Sequence, residues 1–419
     1  MIQKVKIAAV IAEFNPLHDG HRYVIERAKA LTGATHVMCV LSGNFVQRAE
    51  PAIIEKYQRA EEAIHAGADA VIEMPTAFAT GNAEIFAKAG VKIVASFPHV
   101  THLVFGTESK DLSLLRLIAT TQVKREKDFE RYMEGHLKKG ISFDKARCEV
   151  IKRFLPKIRA ELIEKAMNTP NNILAIEYLK ELVRLGVSIA PVGVQRISAL
   201  SASEIRRRIL ALPTQRQLLL TGPSEGTINQ GQPSVDTRVE QLVETNPKFE
   251  PIVSTYLDRA MNFIQYSMFE GIMLYSLMTR LGENIYNANA ELVNLIRNIH
   301  PVSYTELKLK APTKRFSVSR ITRLALHSTL NVTKKDVEHL YKNEWLPYTN
   351  LLAINMDADI LFSALCINAK TPLVVRGNKV KPKQTAYFRT LKKIDERAEL
   401  LYEAITGKRF VKRPRFVKR

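Results

Sequence analysis

Cysteine is scarce in this chain, and the patterns that use it are absent. The 419 residues include 3 cysteines, which lie far apart at Cys39, Cys148 and Cys366. No Cys-x-x-Cys pair occurs. This spacing excludes a disulfide framework and a cysteine zinc site, and it fits a reducing compartment. The histidines outside the N-terminal region have no ligand spacing with cysteine or carboxylate, so we predict no metal site.

Long apolar runs are also lacking. No run in the sequence approaches the roughly 20 residues that span a membrane. The apolar run at 7–12 is too short for the core of a signal peptide, and it leads directly into a polar motif. We therefore expect a cytoplasmic protein that makes no membrane contact.

Acidic residues are few relative to basic ones. The chain has 62 Lys and Arg against 42 Asp and Glu, which gives a net charge of +20. Such an excess informs about partners rather than about the fold. Nucleic acid is the leading candidate partner, and an anionic membrane or a phosphorylated substrate are the alternatives.

The order of patterns along the chain predicts its domains. Over 1–210, short apolar runs alternate with amphipathic segments, which predicts an α/β fold with a parallel sheet and helices on both faces. Gly, Pro, Ser and Gln are concentrated within 211–250, a predicted linker, and 251–407 has the pattern of an all-α domain. The tail 408–419 repeats Arg-Phe-Val-Lys-Arg and predicts a basic arm that orders on nucleic acid, or else a solubilising end.

The most informative motif follows the first apolar run. His18 and His21 stand three residues apart, with Gly20 between them, where a helix is predicted to begin. The open N–H groups of a helix N-terminus attract phosphate, and glycine allows a close approach of the backbone. Two imidazoles at that point can stabilise the charge that builds on a phosphate under attack. The motif predicts cleavage of a nucleoside triphosphate at its α-phosphate, and the alternative is a helix cap with two chance histidines.

The motif and its surroundings resemble a known family. The pattern His-x-Gly-His between a strand and a helix is typical of the nucleotidyltransferase superfamily, whose fold is Rossmann-like. A narrower resemblance, to the tRNA(Met) cytidine acetate ligase family, is carried by FNPLHDGH at 14–21, SGNFVQRAEPA at 42–52, GADAVIEMP at 67–75, NAEIFA at 82–87, FGTE at 105–108, PNNIL at 170–174 and KRFSVSRITR at 314–323. Three places depart from the family pattern: Asp19, Ala49 and the segment 348–353.

The resemblance implies an activity and its site. Members of the family activate acetate with ATP to acetyl-adenylate, and they acetylate the wobble cytidine of elongator tRNA(Met) to N(4)-acetylcytidine. The histidines His18 and His21 would then be catalytic. The implied ATP-binding residues are Ile11, Ala12, Glu13, Phe14, Asn15, Pro16, Leu17, Asp19, Gly20, Gly106, Asn171 and Arg196. ATP would arrive with Mg²⁺.

Two segments are candidates for contact with RNA. Phe45 could stack on a base and Arg48 could meet phosphate, while the alternatives are a core side chain and a surface charge. Lys56 and Arg59, on the next predicted helix, fit a solvated face better than a binding surface. A basic turn and helix adds four further candidates, with an exposed amphipathic face as the alternative: Lys314, Arg315, Arg320 and Arg323.

Two other functions stay open on the sequence. A small-molecule nucleotidyltransferase, which transfers an adenylyl or cytidylyl group to a phosphorylated metabolite, would share the fold and the motif. A non-catalytic RNA-binding module is the third hypothesis, and the intact His18 and His21 pair argues against it. The choice of tRNA and of acetate rests on resemblance alone, and the oligomeric state is open.

Overall fold

The structure is a computed structural model, and it describes residues 5–197, 201–210, 266–358, 360–375, 383–410 and 412–418. The predicted linker at 211–250 lies outside these residues. The strands of the described chain are β1 (Ile7–Ala12), β2 (His36–Ser42), β3 (Ala70–Met74), β4 (Val100–Thr107), β5 (Ala190–Gln195), β6 (Thr349–Asn355), β7 (Leu373–Val374) and β8 (Arg415–Val417).

The helices surround this sheet and form most of the C-terminal part. They are α1 (Asp19–Thr32), α2 (Lys56–His65), α3 (Thr76–Ala79), α4 (Ala83–Ala95), α5 (Ser113–Lys124), α6 (Glu126–Lys138), α7 (Phe143–Phe154), α8 (Ala160–Asn168), α9 (Pro170–Leu185), α10 (Ala202–Leu210), α11 (Tyr266–Arg280), α12 (Ala290–Ile299), α13 (Tyr304–Lys310), α14 (Val318–Leu330), α15 (Lys334–Lys342), α16 (Leu361–Cys366) and α17 (Ala386–Thr406). None of the described helices is both long and apolar enough to cross a membrane.

The sheet is mainly parallel and buried on both faces. Its order is β5-β4-β1-β2-β3-β6-β7, and the five strands of the N-terminal half pair in parallel. In β1, Ile7, Ala9 and Ile11 pack into one core cluster, whereas Ala8 and Val10 pack into another. A strand that is covered on both faces has a continuous apolar sequence, which explains why β1 could be predicted. The predicted α/β, Rossmann-like class with a helical C-terminal part is confirmed.

The C-terminal part also contributes the strands β6 and β7, so the prediction of an all-α domain over 251–407 is wrong for those residues. Strand β6 pairs antiparallel with β3 and extends the sheet. Strand β8 pairs with β6 through residues of the basic tail, so the arm interpretation is wrong for Arg415–Val417. Within the tail, Lys412 reaches the carboxylates of Glu399 at 3.1 Å and Glu403 at 3.3 Å. These carboxylates offset the like charges that favoured a disordered arm.

A buried polar network ties the long helix α17 to the sheet. Lys56 lies between Glu73 and Glu399, with its Nζ 2.6 Å from a carboxylate oxygen of each. The Asp395 carboxylate accepts from the Thr76 amide at 2.7 Å and from the Tyr348 hydroxyl. Since a buried charge is costly unless it is paired, these contacts fix where α17 can dock.

Candidate functional site

A cavity of about 380 Å³ opens at the carboxyl ends of β1, β4 and β5. Its size is in the range of small-molecule sites, and its position follows the rule for parallel sheets. Most of the predicted ATP-site residues line it: Ile11, Ala12, Glu13, Phe14, His18, Gly20, His21, Gly106, Asn171 and Arg196. The other predicted ATP-site residues are outside the lining: Asn15, Pro16, Leu17 and Asp19.

His18 caps the helix that begins at this cavity. Its backbone is extended, and its Nδ1 accepts a hydrogen bond from the Gly20 amide at 3.0 Å. Because Nδ1 accepts, the proton of the neutral ring is on Nε2. Burial, and then the positive charge of Arg196, lower the pKa of His18 to about 4. The ring is therefore neutral at pH 7, and its Nε2 is a hydrogen-bond donor.

His21 stacks directly on His18. The ring centroids are 3.9 Å apart with an angle of 27° between the planes, and the edge of Phe14 meets His21 at 5.1 Å. Burial, followed by the charges of His18 and Arg196, holds the pKa of His21 well below its ordinary value. The two rings thus form a neutral pair at the N-terminus of α1, where the helix dipole favours an anion.

Buried side chains hold the turn between β1 and α1. The side-chain oxygen of Asn15 accepts from the Ile53 amide at 2.9 Å, and the Asn15 carbonyl accepts from Arg206 at 2.6 Å. The side chains of Phe14, Asn15 and Leu17 are buried, so Asn15 and Leu17 support the turn rather than form its surface. Asp19 is exposed in the first turn of α1, where its charge raises the pKa of His18.

Arg59 is the main residue that sequence reasoning misjudged. Its side chain is 0% exposed, so the solvated-face interpretation is wrong. It donates to the carbonyls of Ile54 at 2.9 Å and Ser42 at 3.2 Å, and also to those of Glu13 and Gly43. Arg59 therefore joins the loops that follow β1 and β2. Lys56 is likewise buried, in the network with Glu73.

The wall formed by β4 and α9 has a fixed polar geometry. Asn171 donates from Nδ2 to Glu108 Oε1 at 2.7 Å. Asn172 accepts from the Thr107 hydroxyl at 2.8 Å and from the Glu108 amide at 3.1 Å. A Cβ placed on Gly106 would meet nothing within 4 Å, so glycine leaves this wall open. A carboxylate can only accept, so the Asn171 Oδ1 is left as an acceptor at the cavity.

The end of β5 and the start of α10 complete the cavity. The Arg196 amide donates to the Thr107 carbonyl at 3.1 Å, and the Arg196 side chain lies among the lining residues. Ser201 also lines the cavity, and its hydroxyl accepts from the Glu204 amide at 3.1 Å. Ser201 thus caps the N-terminus of α10 beside the cavity.

The predicted RNA residues divide into two groups. Phe45 is 0% exposed and packs against Phe269 and Tyr402, so its ring offers no face to a base and that prediction is corrected. Arg48 is exposed and also lines the cavity, so it stands at the rim. Arg323 donates from Nε to the Gln47 carbonyl at 3.1 Å.

The other basic candidates lie on α14 and the turn before it. Arg320 donates to the Asn287 carbonyl at 3.2 Å and is half-buried. Lys314 and Arg315 are exposed, and Arg315 is paired with Glu291 at 2.9 Å. Thr322 on the same helix donates to the Arg48 carbonyl at 3.3 Å. The structure thus brings Arg48 and Arg323 to one side of the cavity, whereas Arg320 is held at the Asn287 carbonyl.

The described residues hold no group of three or more His, Cys, Asp and Glu side chains placed to bind a metal ion. Ala49, one of the departures from the family pattern, has a φ of 58°. This left-handed conformation is one that glycine adopts without strain. The departure at 348–353 falls on β6, within the sheet.

Comparisons with known proteins agree with this geometry. The chain matches the model of the HIGH Nucleotidyl Transferase family over residues 5–414. It is 31% identical over 389 residues to the tRNA(Met) cytidine acetate ligase of Clostridium perfringens, covering 90% of this chain and 91% of that protein. The corresponding Caldanaerobacter subterraneus protein is 32% identical over 376 residues, with 89% of each chain covered.

A solved structure shows the same architecture. The crystal structure of Thermotoga maritima TmcAL bound with alpha-thio ATP superposes with a TM-score of 0.82 at 25% identity, over 99% of this chain and 100% of that one. The apo form gives a TM-score of 0.79 over the same coverage. The chain therefore belongs to the HIGH nucleotidyl transferase family and, within it, to the tRNA(Met) cytidine acetate ligases.

Proposed function

We propose that this protein is an ATP-dependent acetate ligase that acetylates the wobble cytidine of elongator tRNA(Met) to N(4)-acetylcytidine. The observation that carries the proposal is the stacked pair of His18 and His21, both held neutral at the mouth of a nucleotide-sized cavity. The relatives named above are tRNA(Met) cytidine acetate ligases, and the Thermotoga structure holds an ATP analogue.

In the first step, an acetate oxygen attacks the α-phosphorus of ATP and pyrophosphate leaves. The Nε2–H of His18 donates to a phosphate oxygen as charge builds on it, and His21 supports that ring through the stack. Arg196 adds positive charge at the same end of the cavity. No protein nucleophile is needed, because positioning and electrostatic stabilisation suffice for displacement at phosphorus.

The rest of the ATP site follows the lining of the cavity. Ile11, Ala12 and Gly20 contribute backbone close to the phosphates, while Gly106 and Asn171 form the wall for the nucleoside. Asn15, Pro16 and Leu17 act by holding the turn, and not by touching ATP. Mg²⁺ enters with the triphosphate as its counterion.

The second step passes the acetyl group from acetyl-adenylate to the cytidine amine. An arylamine is a weak nucleophile, so it needs an activated donor held close and shielded from water. A base in a single-stranded anticodon loop can enter a pocket without opening a duplex. Arg48, Arg320 and Arg323, together with Lys314 and Arg315, supply the positive surface for the RNA backbone.

The test combines purified protein, ATP, Mg²⁺, acetate and tRNA, followed by mass analysis of the tRNA nucleosides. We expect N(4)-acetylcytidine that requires both ATP and acetate. The matched control is tRNA(Met) with uridine at the wobble position, which should give no product. Adenylyl or cytidylyl transfer to a phosphorylated metabolite, without modified tRNA, would instead establish a small-molecule nucleotidyltransferase.

A further inference from the structure

One lining residue has a charge that does not suit a triphosphate site. Among the described residues that line the cavity, Glu13 alone carries a carboxylate. It follows directly after β1 and is half-buried, and loss of hydration raises its pKa. A carboxylate repels phosphate and accepts hydrogen bonds, so its natural partner is an N–H donor.

The orientation of this carboxylate is fixed. Its Oε1 accepts from the Gln47 amide at 2.8 Å, and the Glu13 carbonyl is held by Arg59. No other described residue donates a hydrogen bond to the carboxylate, so Oε2 remains available to a ligand in the cavity. The side chain is thus pre-organised as an acceptor, which is what a reacting amine requires.

Glu13 also lies on the side of the cavity that faces the C-terminal part. Gln47, which holds the carboxylate, accepts from Arg323 through its carbonyl, and the Arg48 carbonyl accepts from Thr322. The phosphate-directed residues His18 and Arg196 come instead from α1 and the end of β5. Glu13 and the phosphate-directed residues therefore belong to different parts of the cavity wall.

Acetylation of an amine requires an acceptor for a proton. When the cytidine nitrogen bonds to the acetyl carbon, the bond from that carbon to the adenylate oxygen breaks. AMP leaves with the bonding electrons, and the nitrogen must lose one of its two protons. Glutamate is a recognised partner of the exocyclic amine of cytosine. A carboxylate beside that amine also serves as a general base.

We propose that Glu13 binds the exocyclic amine of the target cytidine and takes up its proton during acetyl transfer, an inference that rests on the proposed acetate ligase function. Glu13 is then a catalytic residue of the second step, whereas the resemblance implied that it binds ATP. The proton passes from Glu13 to solvent after AMP has left.

The two steps can be measured separately in the full-length protein. Hydroxylamine reacts with acetyl-adenylate to give acetohydroxamate, and this reaction needs no bound cytidine. N(4)-acetylcytidine instead reports the complete reaction. The test variant is Glu13→Gln, whose side-chain oxygen still accepts from the Gln47 amide. The matched control is Glu50→Gln, which removes the same charge from a residue close to Arg48 that does not line the cavity.

We expect Glu13→Gln to lower acetylation of tRNA by about 100-fold, with a much smaller loss of acetohydroxamate. Glu50→Gln should form both products at the parent rates. In the parent protein, the rate of acetyl transfer should fall at acid pH as Glu13 becomes protonated. Equal losses of both products in Glu13→Gln, or no loss of either, would overturn the proposal. A parent protein that forms no acetate-dependent hydroxamate would refute the proposed function instead.

Discussion

The guanidinium of Arg323 donates from Nε to the carbonyl of Gln47 at 3.1 Å, across 276 residues of sequence. Gln47 in turn donates its amide to the Glu13 carboxylate at 2.8 Å. A helix of the C-terminal part is therefore two hydrogen bonds away from the floor of the cavity. This path gives a physical link between the basic helix and the cavity.

The exposed rim arginine is predicted to contact phosphate and not a base. Replacing Arg48 with glutamine should weaken tRNA binding, and it should lower the slope of log affinity against log salt by about 1. Arg315→Gln is the comparison, because Glu291 already offsets the Arg315 charge and a smaller change is expected. Binding measured over a range of salt concentrations tests this. An unchanged slope for Arg48→Gln would place that arginine outside the RNA interface.

The buried Arg59 is predicted to hold the loops after β1 and β2 in place. Lysine keeps the charge but cannot reach the four carbonyls together, so we expect Arg59→Lys to lower the free energy of unfolding by about 2 to 4 kcal/mol. Arg22→Lys, at an exposed position on α1, should cost under about 0.5 kcal/mol. Urea denaturation provides both values. Equal stability of the two variants would contradict the role of Arg59.

Glu108 is predicted to fix the orientation of the Asn171 amide. A glutamine at position 108 can donate as well as accept, so the Asn171 amide is no longer fixed and can turn its N–H groups to the cavity. An N–H donor disfavours the adenine amine and favours the oxygen of inosine triphosphate. We therefore expect Glu108→Gln to reduce the preference for ATP over inosine triphosphate by about tenfold.

Hydroxamate formation with each nucleotide measures that preference. Glu126→Gln is a suitable control, because Glu126 is a carboxylate that pairs with Arg184 on the outer helices. An unchanged preference in Glu108→Gln would show that Asn171 does not read the adenine amine.

The titration of His18 should depend on Arg196 and on ATP. The pKa of His18 in the folded protein is about 4, below its ordinary value of 6.5. The neutral ring therefore contributes stability that is present above pH 6.5 and is lost as the pH falls towards 4. Replacing Arg196 with glutamine should raise the pKa, since a nearby positive charge is removed.

A bound ATP analogue should also raise the pKa of His18, because phosphate favours the protonated ring. NMR titration of the imidazole protons, with and without the analogue, measures both shifts. A pKa of His18 that stays constant on addition of the analogue would mean that the phosphates bind elsewhere.

The parts of the molecule that sequence could predict are those specified locally. The strand before His18, the helix after it and the glycine between the histidines are all encoded within a few residues. The burial of Phe45 and Arg59 depends on distant partners, such as Tyr402 on α17 for Phe45. The same holds for β6 and β8, since each becomes a strand only where another strand offers its edge.

Glu13 lies between these two cases, because local sequence predicts its position but not its contacts. Its position next to the His18 and His21 motif indicated a site residue. The group that its carboxylate can bind depends on the loop that contains Gln47. The contact from Gln47, and through it from Arg323, became visible only in the folded chain. Local sequence therefore predicts which residues lie at the cavity better than it predicts the role of each one.

The most direct measurement follows the oxygen atoms of acetate. If His18 and His21 promote attack of acetate on the α-phosphorus, then acetate labelled with a heavy isotope of oxygen should transfer one labelled oxygen to AMP during tRNA acetylation. Mass spectrometry of the released AMP detects it, and His21→Ala should abolish both the label and the product. Unlabelled AMP alongside acetylated tRNA would contradict an acetyl-adenylate intermediate and the role assigned to the two histidines.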